Sequence, residues 1–111
     1  MKQEDKELLL KDLCARLPYE VKVKFYDHWV DEYEIIPLTT KLLADTTYIG
    51  DIKPYLFPIS SMTEDQKEEW RGIRWSKLPW DELNWLNKGH WDYRHLIEKG
   101  LANDATGLNI Y

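Results

Sequence analysis

The hydrophobic period of this chain changes at Pro18, and that change limits the folds open to it. Before the proline, Leu10, Leu13, Cys14 and Leu17 recur at i, i+3, i+4 and i+7, and Leu9 widens the stripe. This is the spacing of one helical face. It predicts a helix over residues 3–17, with Glu4 and Asp5 in the first turn and Arg16 in the last, each favourable to the helix dipole. Cys14 falls within the stripe and reads as a small buried hydrophobe. After the proline, "VKVKFYD" alternates Val21, Val23 and Phe25 against Lys22, Lys24 and Tyr26, the period-two signal of a half-buried strand.

The strand pattern continues. In "EYEIIPL", Tyr33 and Ile35 alternate with Glu32 and Glu34. Lysines on one strand facing glutamates on the next would make favourable cross-strand pairs, so a hairpin is expected. "KLLA" and "YI" suggest a third and a short fourth strand around a turn at "DTT". "GDIKPYLFP" is too rich in Gly and Pro for a regular element and reads as a tight turn closing the sheet.

The last third turns helical. Thr63 and Gln66 fit a capping box opening a helix that Gly72 is placed to end. Pro79 suits the first turn of a second helix, with Asp81 and Glu82 near its positive end and Gly89 beyond its other end. A third helix is expected from the Asp92 cap to Gly100, with Leu101 folding back on Leu96 in a Schellman contact. The expected architecture is one α+β domain over residues 1–111. Residues 1–58 supply a helix and a small twisted antiparallel sheet of three or four strands; residues 59–111 supply two or three short helices packed on it.

Five of the six tryptophans, Trp70, Trp75, Trp80, Trp85 and Trp91, fall almost every fifth residue. Five residues advance a helical position by about 140°, and an odd spacing alternates faces on a strand. No single element can therefore align these rings. Most are expected to pack between short helices, where indoles bring large apolar areas. Trp91, just before Asp92, occupies the position of a hydrophobic staple. Trp75 and Trp85 are the candidates for an exposed surface, beside Arg71, Arg74 and Lys77 in "WRGIRWSK". Aromatic and arginine residues are enriched at protein interfaces.

Other chemistries find little support. A net charge of −5 disfavours general nucleic-acid binding. The lone Cys14 excludes an internal disulfide and a multi-thiolate zinc site. His28, His90 and His95 lack metal-ligand spacing, and no cofactor is expected. No phosphate loop, serine elbow or dinucleotide fingerprint occurs, so the chain is expected not to be an enzyme. "MKQEDKELLL" is neither a signal peptide nor a membrane span. A cytoplasmic setting with no membrane partner is expected.

Three blocks carry a resemblance: "ELLLKDLCARLPYEVKVKFYD" at residues 7–27, "DIKPYLFPISSMTEDQKEE" at 51–69 and "WLNKGHWDYRHLIEKGLA" at 85–102. In this order they resemble blocks of small uncharacterised proteins of bacteriophages and mobile elements from anaerobic gut bacteria. The resemblance implies a genomic setting, and no activity or functional residue comes with it. The expected role is a non-enzymatic, protein-binding or inhibitor-type accessory factor of a phage or mobile element, using Arg71, Arg74, Trp75, Lys77 and Trp85. Two alternatives stand beside it: a single-stranded nucleic-acid accessory protein using the same basic residues, and a glycan-binding module using exposed indoles.

Overall fold

The computed structural model describes residues 2–44, 52–76 and 78–111. The fold is α+β: helix α1 (Gln3–Arg16), strands β1 (Lys22–Asp27) and β2 (Glu32–Pro37), helix α2 (Thr40–Ala44), strand β3 (Ile52–Leu56), helices α3 (Glu64–Trp75) and α4 (Pro79–Lys88), and strand β4 (Asn103–Asp104). The sheet order is β2-β1-β3-β4. β1 is antiparallel to both β2 and β3, but β4 runs parallel to β3. The sheet is therefore mixed, and the antiparallel expectation holds only for its first three strands.

Two segments depart from their sequence signals. "KLLA" is helical, in α2, while the expected "YI" strand lies outside the described residues. "IKPYL", read as a turn, is the inner strand β3. Pro54 fits there because of strand parity. The Leu56 carbonyl accepts from Ala105 N–H at 2.8 Å, on the β4 side. Pro54 has the same parity, so its missing N–H also faces away from β1, and pairing with β4 begins only at Tyr55↔Asn103. No ladder bond is lost.

The β1–β2 hairpin forms, but its register differs from the charge pattern. Lys24 lies opposite Ile35, and Phe25 opposite Glu34. The expected lysine–glutamate pairs are absent, and Lys24 Nζ sits 4.6 Å from the Tyr33 ring centroid instead. Val21 and Val23 point into the main core with Leu9, Leu13, Ile52, Leu56, Leu96 and Leu101, so the alternation in β1 was a sound guide to its buried face.

The buried stripe of α1 is Leu9, Asp12, Leu13 and Arg16, one position, or roughly 100°, away from the apolar stripe. Cys14 is exposed, contrary to expectation. An ion pair takes the inward positions. Arg16 Nε donates to Asp12 Oδ2 at 2.8 Å, and Arg16 Nη2 donates to the Trp91 carbonyl at 2.7 Å. Arg94 Nη1 donates to the other Asp12 oxygen at 2.7 Å. The two guanidinium carbons lie 4.9 and 4.8 Å from the Tyr93 ring centroid. This network joins the main core to a second one built from Met62, Leu86 and Trp91.

The capping box at Thr63 and Gln66 is present in both directions. The helix it opens passes through Gly72 and ends only at Trp75. α4 starts at Pro79 as expected. At its far end Gly89 keeps right-handed φ and His90 takes φ +60. The bonds Trp91 N–H to Leu86 and His90 N–H to Asn87 close a Schellman motif one residue later than the glycine suggested. Gly89 is required for space: a Cβ there would run into the Trp91 indole. The expected third helix is absent. His95 sits at φ +57 and stops propagation, and Asp92 instead caps a single turn by accepting from Leu96 and Ile97 N–H at 2.8 and 3.0 Å. The expected contact survives, because Leu101 N–H bonds the Leu96 carbonyl at 2.9 Å around Gly100.

Candidate functional site

α3 and α4 form a helical hairpin whose facing side chains set its register. Trp85 Nε1 donates to Glu69 at 3.0 Å, Trp70 Nε1 donates to Glu82 at 3.3 Å, and Arg74 Nε lies 3.8 Å from Glu82. Glutamates in the α3 and α4 charge runs thus hold the indole N–H groups of the opposite helix. This leaves the last turn of α3 and the first turn of α4 at the same end. There Trp75 is 81% exposed and Trp80 62% exposed, with Leu78 and Leu83 exposed beside them.

The sequence candidates separate on this scaffold. Trp75 is at the exposed tip. Arg71 is exposed near it. Arg74 lies 5.2 Å from the Trp70 ring centroid and 3.8 Å from Glu82, and its side chain stays exposed. Lys77 lies outside the described residues. Trp85 belongs to the other end of the hairpin, half-buried against the second core, and is not part of one surface with Trp75. Trp80, expected in the packing, is the exposed partner of Trp75 instead. Trp91, at 6% exposure, is the one ring of the five that is buried outright. It occupies no staple position, since no helix follows it.

Reasoning from the C-terminal spacing overlooked Trp29. In the β1–β2 connection it is 97% exposed, with Val30 exposed next to it. The available signal was its place: "YDHWVDEY" puts an indole in the short connection between two strands.

The other end of the helical hairpin carries a cleft of about 530 Å³ lined by Phe57, Gln66, Glu69, Trp85, Lys88 and Trp91 among others. Trp85 and Trp91 are near-parallel, 6.2 Å apart at an interplanar angle of 15°, and Phe57 lies 5.7 Å from Trp91. Aromatic walls with a few polar groups on the rim suit a small ligand with both an apolar face and hydroxyls. Trp85 and Lys88 also line a second open groove with Tyr19, Ile73 and Asn84.

The chain's last residue closes the sheet. The Tyr111 hydroxyl accepts from Lys22 N–H at 2.9 Å and donates to the Tyr55 carbonyl at 2.7 Å, replacing a ladder rung between β1 and β3. Burial pushes this phenol up to about 12, against the opposing pull of the Lys22 N–H and the Arg16 charge. His90 stacks on the same ring at 3.8 Å. Burial, helped by the positive charges of Arg16 and Lys22, lowers its imidazole from 6.5 to about 4. Among the described residues no group of three or more His, Cys, Asp or Glu side chains is placed to hold a metal ion, and no helix is long and apolar enough to cross a membrane.

No protein-family model, curated protein or solved structure matches the chain.

Proposed function

We propose that the chain is a small, non-enzymatic, intracellular accessory factor of a phage or mobile element that acts by protein–protein contact through the α3–α4 tip. The observation that carries this reading is the joint exposure of Trp75 and Trp80 on a tip flanked by Leu78 and Leu83. Large aromatic side chains at solvent forgo their burial energy in the free protein. They recover it in a complex, which is why tryptophan dominates binding hot spots. The resemblance of residues 7–27, 51–69 and 85–102 to phage and mobile-element proteins supports the genomic setting, and an inhibitor of a host function is one form such a factor takes. The test is affinity capture from host lysate with the full chain and with a Trp75→Ala, Trp80→Ala variant. A partner held by the first and lost by the second is expected; the same set recovered by both ends the proposal.

The cleft at the opposite end of the hairpin favours a second reading, a small glycan binder using Trp85, Trp91 and Phe57. A saccharide seated there would change the emission of Trp85. Unchanged fluorescence across a glycan panel counts against it.

A further inference from the structure

We propose that the sheet face opposite the main core binds single-stranded nucleic acid. Val21 and Val23 turn into the core, so parity sends Lys22, Lys24 and Tyr26 of β1 to the other face. The register adds Tyr33 and Ile35 from β2 and Lys53 from β3, because Tyr26 pairs with Tyr33, Lys24 with Ile35 and Lys24 with Lys53. Asp27, Glu32 and Glu34 have the opposite parity. Lys22 Nζ donates to the Ile110 carbonyl, and Tyr55, of the same parity, is buried. Among the described residues the open part of this face therefore presents Lys24, Lys53, Tyr26, Tyr33 and Ile35, with no strand carboxylate.

Two features point to an anionic, ring-bearing ligand. Lys24 and Lys53 stand directly opposite one another on adjacent strands, an arrangement of like charges that destabilises a sheet. No carboxylate among the described residues pairs with either. Lys24 Nζ leans toward the Tyr33 ring on β2, 4.6 Å from its centroid, and a phosphate held between the two lysines would offset the positive charge of the pair. The second feature is the rings. Tyr33 is exposed, Tyr26 packs edge-on against it at 5.0 Å, and the exposed indole of Trp29 follows in the connecting loop. Lys24 already sits against part of the Tyr33 ring; the rest of that exposed ring and the Trp29 indole supply base stacking beside the phosphate attraction of the lysines. A polyanion without bases would use the lysines alone. This surface is distinct from the Arg71–Arg74 patch, where the Glu82 carboxylate lies 3.8 Å from Arg74. The net charge of −5 makes the attraction local and strongly dependent on salt.

The experiment is fluorescence anisotropy of labelled oligo-dT and oligo-U with the full chain, titrated across salt. Binding at low salt is expected to weaken linearly on a log–log scale. A Lys24→Ala, Lys53→Ala variant is expected to lose about two phosphate contacts, reducing the slope by about 1.4. Tyr33→Ala is expected to weaken binding roughly tenfold. All three side chains reach solvent, so the variants are expected to fold. As a second readout, oligonucleotide should raise the parent's Tm more than that of the lysine variant. Three results overturn the proposal: no binding at low salt, binding indifferent to Tyr33, or binding lost only in an Arg71→Ala, Arg74→Ala control.

Discussion

Asp12 and Arg16 show how a single residue pair can redirect a helix. Both are fully buried, and each is tied to more than its partner, Arg16 to the Trp91 carbonyl and Asp12 to Arg94. Removing one member of such a pair strands a charge in the interior, which costs about 3–5 kcal/mol. Asp12→Ala is therefore expected to lower the unfolding free energy by that amount in urea. Adding Arg16→Met should cost less than the sum of the two single changes, because the stranded charge leaves with it. An additive double variant would mean that the two side chains do not act as a unit. Hydrophobic spacing could not have located this pair. It ranks positions by apolarity, so it placed Cys14 inward and singled out neither Asp12 nor Arg16 for burial. The useful signal was the i, i+4 relation of Asp12 and Arg16 on the leucine-bearing side, and its meaning depends on Trp91 and Arg94, about 80 residues on.

At the scale of elements, two glycines are expected to respond to the same substitution with opposite sign. Gly72 lies within α3, at ordinary helical φ, and a Cβ there meets nothing within 4 Å. Gly72→Ala should stabilise the protein by about 0.5–1 kcal/mol, chiefly by restricting the unfolded chain. Gly100 has equal room but φ +74, and Gly100→Ala should destabilise by about 1–2 kcal/mol. Thermal unfolding of both variants checks the pair, and a stabilising change at Gly100 would refute the left-handed turn. The elements best read from sequence were those whose signals are local: the Thr63 capping box, the Pro79 start, the β1 alternation and the Gly100 turn. The α3 end was misread because a helical glycine costs only about 1 kcal/mol, less than the packing of α3 on α4 restores. The third C-terminal helix was misread because the Asp92 carboxylate bonds two later N–H groups while His95 turns left-handed.

Across the whole molecule, residues far apart in the chain meet at one corner of the sheet. Tyr111 completes the β1–β3 ladder, and His90 stacks on it. The unfolded imidazole takes up a proton near pH 6.5 and the folded one only near 4. Between these values the unfolded state binds more protons, so stability is greatest above pH 6.5 and is lost as pH falls toward 4. Unfolding free energies measured across that window should fall with acidity. His90→Asn, which tolerates the left-handed φ, should flatten this part of the profile; an unchanged slope would place the titration elsewhere.

The sequence by itself determined the α+β class, the N-terminal helix, the hairpin, the N-cap of α3 and the Pro79 start of α4, because each depends on contacts within a few residues. It also showed that five regularly spaced tryptophans could not form a row. Tertiary structure alone decided which rings are covered: Trp91 by Phe57 and Trp85, but neither Trp75 nor Trp80. It also decided that Pro54 lies in an inner strand and that a two-residue strand from the C-terminal tail completes the sheet. These outcomes depend on which surfaces meet. Burial is a property of that meeting, and the spacing of residues along one element does not contain it.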